Sequence, residues 1–197
     1  MSKSARNRNN RQNVLTKTSP PWGAIAFFTT IGVIVLAAVG FAAWQAFKPA
    51  EAIAGLVEKD GLKQDHVQTP VTYDTTPPMG GPHHPVWQNC DGRVYDQPLK
   101  NEHAVHSLEH GAVWFTYRPG LASGELDKLK SKVEGTDYTM LSPVQNQDAP
   151  IVLSAWGKQV KVDKADDGRI NAFLKAYLKG PQTPEPGAAC SGGKDTP

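Results

Sequence analysis

Apolar positions divide the chain into two regimes. From Ala24 to Ala43 twenty consecutive residues carry no charge. At helical rise such a run is about 30 Å long, the thickness of the hydrocarbon core of a bilayer. Trp22 and Trp44 flank it where interfacial aromatic anchors sit, and Pro20-Pro21 closes the segment before it. The pattern predicts a transmembrane helix over 22–47. A cleaved signal peptide is the competing reading. It expects an apolar core of about 7–15 residues and a prompt small-x-small cleavage site. Trp44-Gln-Ala-Phe-Lys-Pro is a poor site of that kind.

Beyond residue 64 the apolar positions follow shorter periods. Residues 65–74 alternate weakly and read as an edge strand broken at Pro70. Residues 75–85, with four prolines and two glycines, read as a rigid loop. Asp91-Gly92 is a turn signal. Residues 102–110 suit one or two helical turns ended by Gly111, and the apolar and aromatic run 112–117 reads as a buried strand. Ser123 is a candidate N-cap for an amphipathic helix with Leu126, Leu129 and Val133 on one face. Tyr138–Ser142 is a strand candidate, and 150–156 and 159–163 flank Gly157-Lys158 in a hairpin pattern. Ile170, Phe173, Leu174, Tyr177 and Leu178 place a last helix over 164–179, stopped by Gly180-Pro181. The order predicts an α+β domain, a small mixed sheet flanked by helices, thioredoxin-like in outline. The chain has no Cys-x-x-Cys, which argues against thiol–disulfide exchange of the usual thioredoxin kind. The expected organisation is a disordered basic tail over 1–21, the membrane helix over 22–47, a juxtamembrane linker over 48–64, the α+β domain over 65–190 and a disordered tail over 191–197.

Charge changes the picture at the N-terminus. Lys3, Arg6, Arg8, Arg11 and Lys17 precede the apolar span with no acid among them, although the whole chain carries only +2. A basic tail first suggests nucleic acid. Ahead of a hydrophobic span, the positive-inside rule explains it better. The expected location is therefore the cell membrane, single-pass, with a cytoplasmic N-terminus and an extracytoplasmic domain. The bilayer is the expected partner through 22–47, and no nucleic acid is expected. An oxidising compartment then permits a bridge between Cys90 and Cys190, the only two cysteines. Closing so long a loop would contribute roughly 4–5 kcal/mol in the chain-entropy model. Two unpaired thiols remain the other reading.

Several phrases carry a family resemblance. They are His66-Val67 ahead of Val71-Thr-Tyr73, Pro77-Pro-Met-Gly-Gly-Pro-His83, Trp87-Gln-Asn-Cys90, Val94-Tyr-Asp-Gln-Pro98 and Ala104-Val-His-Ser-Leu-Glu-His-Gly-Ala-Val-Trp114, with Pro-Gly-Ala-Ala-Cys190 near the end. Over roughly 65–190 the chain resembles an actinobacterial family of single-pass membrane proteins known only as a domain of unknown function. The resemblance implies His66, His83, Cys90, His106, Glu109, His110 and Cys190 as family positions, and it implies no activity. Asp91, between Cys90 and Gly92, departs from the family pattern.

Five of the six histidines fall between positions 83 and 110. His106, Glu109 and His110 are spaced i, i+3, i+4 and share one face of a helical turn. Neutral imidazoles suit zinc, copper or nickel, and His83 or His66 can complete a tetrahedral set. With three methionines and no methionine cluster, a soft Cu(I) site is poorly supported. Zinc or copper binding through His106, His110, Glu109, His83 and His66 is the leading expectation. Two alternatives stand beside it. One is a structural or protein-interaction module of the cell envelope, its histidines bonded to loop carbonyls. The other is a metal-dependent hydrolase using His-x-x-Glu-His with Glu109 as general base, a motif that needs a sustained helix to present it. Here Gly111 and a strand follow at once. Trp87 and Trp156 are expected in the core rather than in a pocket.

Overall fold

The computed structural model describes residues 20–46 and 52–197. The expected tail over 1–21 lies outside the described residues except for Pro20 and Pro21. The chain forms two compact units, Met1–Pro49 and Ala50–Pro197. In the first, helix α1 spans Trp22–Ala46, and its Trp22–Trp44 stretch is long and apolar enough to cross a membrane. The hydroxyls of Thr29 and Thr30 donate to the carbonyl of Ala26 at 2.9 and 2.8 Å, so neither needs a partner from outside the helix.

The second unit is an α+β domain around a six-stranded mixed sheet. Its elements are β1 (Val57–Glu58), β2 (Asp91–Val94), α2 (Asn101–Glu109), β3 (Val113–Tyr117), α3 (Ser123–Val133), β4 (Thr139–Pro143), β5 (Ile151–Ala155), β6 (Lys158–Val162) and α4 (Gly168–Tyr177). The strand order is β1-β6-β5-β3-β4-β2. Strands β2, β4 and β3 run parallel, while β5 and β6 continue antiparallel from β3. Strand β3 is buried on both faces, which is why its sequence is continuously apolar rather than alternating. Val113 and Phe115 join Leu141, Leu153, Ile170 and Phe173 in the core under α3 and α4. Trp114 and Met140 point to the other side and pack with Ala104, Val105 and Leu108 of α2. The sheet therefore holds α2 against a rigid floor.

Several local expectations are corrected. Residues 65–74 form no strand beyond an isolated bridge between His66 and His83. Pro70 has no N–H to donate, and the next amide, Val71, turns to the carboxylate of Glu102 at 2.9 Å instead of a neighbouring strand. The positive φ that makes Asp91-Gly92 look like a turn serves a bulge inside β2: Gly92 has φ +82°, and a Cβ there would sit 2.8 Å from the amide nitrogen of Gly135. Ser123 is not an N-cap. Ala122 occupies that position, and Glu125 in the first turn accepts instead from the amide of Ala165 at 2.6 Å. The last helix starts at Gly168, later than expected, because the carboxylate of Asp167 accepts from the amide of Arg169 and caps it there. Within the stretch read as a linker, Val57 and Glu58 pair with Gln159 and Lys158 of β6. The tail over 191–197 is tied down as well: the amide of Lys194 donates to Trp87 O at 2.8 Å, and its carbonyl accepts from Asn89 at 2.9 Å.

That tail belongs to a strap that recrosses the domain after α4. Glu185 N donates to Glu109 O at 3.0 Å and Gly187 N to His110 O at 3.1 Å, which satisfies carbonyls at the end of α2 that have no intrahelical partner. Cys190 is joined to Cys90 by a disulfide, one hundred residues apart in sequence. Replacing both cysteines by serine should lower the unfolding free energy by roughly 4–5 kcal/mol, the loop-closure contribution for so long a loop. Denaturant unfolding of the oxidised chain against the double variant measures this. An unchanged midpoint would mean that the hydrogen bonds of the strap suffice to hold it.

Candidate metal centre

The site lies where α2 meets the proline-rich loop. Every residue from His103 to Glu109 is buried. Ala104, Val105 and Leu108 take the face toward the sheet, so His103, His106 and Glu109 are left to the face under loop 75–85. That loop is shaped by Gly80 and Gly81, at φ +141° and +119°. A Cβ on Gly80 would meet Leu62 Cδ1 at 2.7 Å and the Trp156 ring at 3.3 Å, so only glycine lets the loop descend this far. His83 N then donates to Asp65 O at 3.0 Å and Val67 N to His83 O at 2.7 Å, which pairs the backbones of His66 and His83 side by side.

These elements bring together His66, His83, His106 and Glu109, with one potential ligand atom from each within 4.8 Å of every other. Nε2 of His83 lies 2.8 Å from Oε2 of Glu109, and Nε2 of His66 lies 3.7 Å from the same oxygen. A tetrahedral ion with bonds of about 2.0 Å sets its ligand atoms roughly 3.3 Å apart. The two separations fall on either side of that value. The His66 and His106 rings stack at 4.8 Å, and the His83 ring is 4.8 Å from His106 and 5.8 Å from Trp156.

Backbone carbonyls fix the tautomers. Nδ1 of His83 is 2.8 Å from Gly81 O, and Nδ1 of His106 is 2.7 Å from His84 O. A carbonyl only accepts, so each Nδ1 carries the proton, and a neutral ring then presents the Nε2 lone pair to the cluster. Metal-ligating histidines are oriented by this same kind of outer hydrogen bond. Burial pushes the His106 imidazole down to about 4, against the pull of its bond to His84 O, so the ring is neutral at physiological pH. For Glu109, burial disfavours the charge, but the imidazoles of His83, His106 and His66 favour it whenever one of them carries a proton, and that holds the carboxyl below its usual range. Nε2 of His83 is fully buried and makes no hydrogen bond among the described residues, although the Glu109 carboxylate is close. A nitrogen lone pair facing a carboxylate oxygen repels it unless positive charge lies between them.

His110 takes a different place. It is the C-cap of α2, with φ −73° and ψ −9°, and its Nδ1 donates to Ala189 O at 2.6 Å. Its Nε2 is 3.8 Å from the carboxylate of Glu185, and its ring is 4.5 Å from His106 and 5.1 Å from Trp87. It stands behind His106, toward the strap, outside the four-residue group. Burial lowers its basicity too. His84 and His103 form a separate pair, ring centroids 4.3 Å apart, tied to the two backbone groups of Val86. Trp87, expected in the core, flanks the site: its ring lies 5.9 Å from His106. The carbonyls of Gly81 and His84 were not legible as site groups. The Pro/Gly composition signals a rigid loop but not which of its carbonyls face inward.

Three imidazole nitrogens and one carboxylate oxygen form a donor set that suits zinc or divalent copper. With both cysteines in the disulfide, no thiolate contributes. The fold and site thus define an α+β domain carrying a histidine–carboxylate cluster that could hold a metal ion. Residues 66–192 match the family described as protein of unknown function (DUF3105), and the chain belongs to that family. No curated protein and no solved structure matches it.

The orphaned Nε2 of His83 makes a prediction about the metal-free protein. Glu109→Gln would offer it an amide N–H in place of a carboxylate oxygen. In the presence of a chelator the variant should be as stable as the parent or up to about 1 kcal/mol more stable. Chemical denaturation measures this. A loss of several kcal/mol would mean that the metal-free pair is an imidazolium–carboxylate ion pair.

Proposed function

We propose that this chain is a membrane-anchored protein whose extracytoplasmic domain binds one transition-metal ion, zinc or divalent copper, through His66, His83, His106 and Glu109. The observation that carries the reading is the convergence of three imidazoles and a carboxylate in which both buried rings donate Nδ1–H to loop carbonyls and turn Nε2 inward. A purely structural histidine has no need of a second histidine facing the same point. His110 backs the site through its contact with His106 rather than joining it. Glu109 faces into the cluster, which favours a ligand over a free general base.

The anchoring half of the reading rests on α1 and on charge. The helix is apolar enough to span the bilayer, and the basic residues before it favour a cytoplasmic N-terminus. A disulfide in the domain agrees with an oxidising, extracytoplasmic side. The lipid bilayer is then the partner of 22–47, and the basic tail serves topology rather than nucleic-acid binding.

Elemental mass spectrometry of the full chain, purified in detergent without a polyhistidine tag, tests the proposal. The expected result is close to one equivalent of zinc or copper, lost in a His83→Gln, His106→Gln double variant that still folds. Free metal at one hundred times its dissociation constant should raise the unfolding free energy of the parent by about 2.7 kcal/mol. A metal-free chain whose melting ignores added zinc and copper would overturn the reading in favour of a structural module.

A further inference from the structure

The four residues of the cluster are not held alike. The side chains of His83 and Glu109 are 0% and 3% exposed, and His106 is 4% exposed. The side chain of His66 is 47% exposed. Among the described residues, no hydrogen bond holds either ring nitrogen of His66, whereas Nδ1 of His83 and of His106 is each pinned to a carbonyl. The backbone around His66 is fixed by its two bonds to His83 in the loop. Freedom at this position therefore belongs to the ring, which lies stacked on His106 with 23° between the planes. Rotation of an exposed side chain takes picoseconds to nanoseconds and needs no loop to move.

Space adjoins the same segment. A cavity of about 330 Å³ is lined by Leu62 and Lys63 before His66, by Val71 and Tyr73 after it, and by Gly81 and Pro82 of the His83 loop. Gly81 is also the residue whose carbonyl holds His83 Nδ1.

We propose that His66 is the displaceable ligand of the site, and that an external imidazole takes its place on the ion while His83, His106 and Glu109 keep hold of it. The proposal rests on the metal assignment above and deepens it. The centre is an exchange site that passes an ion to or from a histidine-bearing carrier, not a closed structural site. The step is a ligand substitution: the bond from the metal to His66 Nε2 breaks as the bond to the incoming nitrogen forms, with no electron transferred. Three buried groups retain the ion during the swap, just as three protein ligands hold zinc in catalytic sites whose fourth position is left to water or substrate.

The test uses the full chain in detergent micelles loaded with Co(II), whose visible absorption reports coordination. His66→Ala and His66→Gln should each still bind one Co(II), more weakly, and release it to a chelator on the order of tenfold faster than the parent. Added imidazole should restore the parental spectrum and slow the release. His83→Gln should bind poorly and not be rescued. If both His66 variants lose Co(II) as fully as His83→Gln does, or if imidazole changes neither their spectrum nor their release rate, His66 is not the exchanging ligand although the metal reading stands. A parent that takes up no Co(II) overturns both.

Discussion

Burying a polar side chain without a partner costs more than most packing contacts return, and helix α2 faces that constraint over most of its length. Seven consecutive residues, His103 to Glu109, are buried, and four of them are polar or ionisable. The surrounding segments are arranged to answer them. Val86 O takes Nδ1 of His103, Gln88 O takes the hydroxyl of Ser107 at 2.6 Å, and His84 O takes Nδ1 of His106. The carbonyls come from a stretch with little regular structure, because carbonyls committed to a β-ladder would not be available. The irregular loop and the polar helix are two sides of one solution.

Much of this was legible. The sheet and its helices follow from period and punctuation: β3 from its unbroken apolar run, the β5–β6 hairpin around Gly157, and α4 from its spaced aromatic and aliphatic residues. The family phrases and the histidine spacing singled out His66, His83, His106 and Glu109. Other features were not legible because they are decided by tertiary partners. Residues 65–74 look like a strand until the Val71 amide finds Glu102, and Val57-Glu58 has no strand signal without the edge of β6 to pair with. His110 matches the helical spacing of His106 and Glu109, yet the helix stops at Glu109 and the strap captures the imidazole that follows. Spacing on an ideal helix cannot anticipate a cap.

The two faces of the sheet divide the work. Beneath α3 and α4 the core packs aliphatic side chains with Phe115 and Phe173 and supplies the hydrophobic stabilisation. On the α2 face the core mixes Trp114, Met140 and Trp156 with the disulfide and borders directly on imidazoles. That face trades packing uniformity for orientation: Trp156 on one side and Trp87 on the other limit the His83 and His106 rings, so the geometry of the cluster is held by aromatic walls as well as by hydrogen bonds.

The returning strap also sets an order of assembly. All four clustered residues lie between positions 66 and 109, so they are synthesised early. The groups that cap α2 and back His110 arrive only with residues 185–194, after every strand of the sheet. A nascent chain therefore displays histidines before it owns a finished pocket.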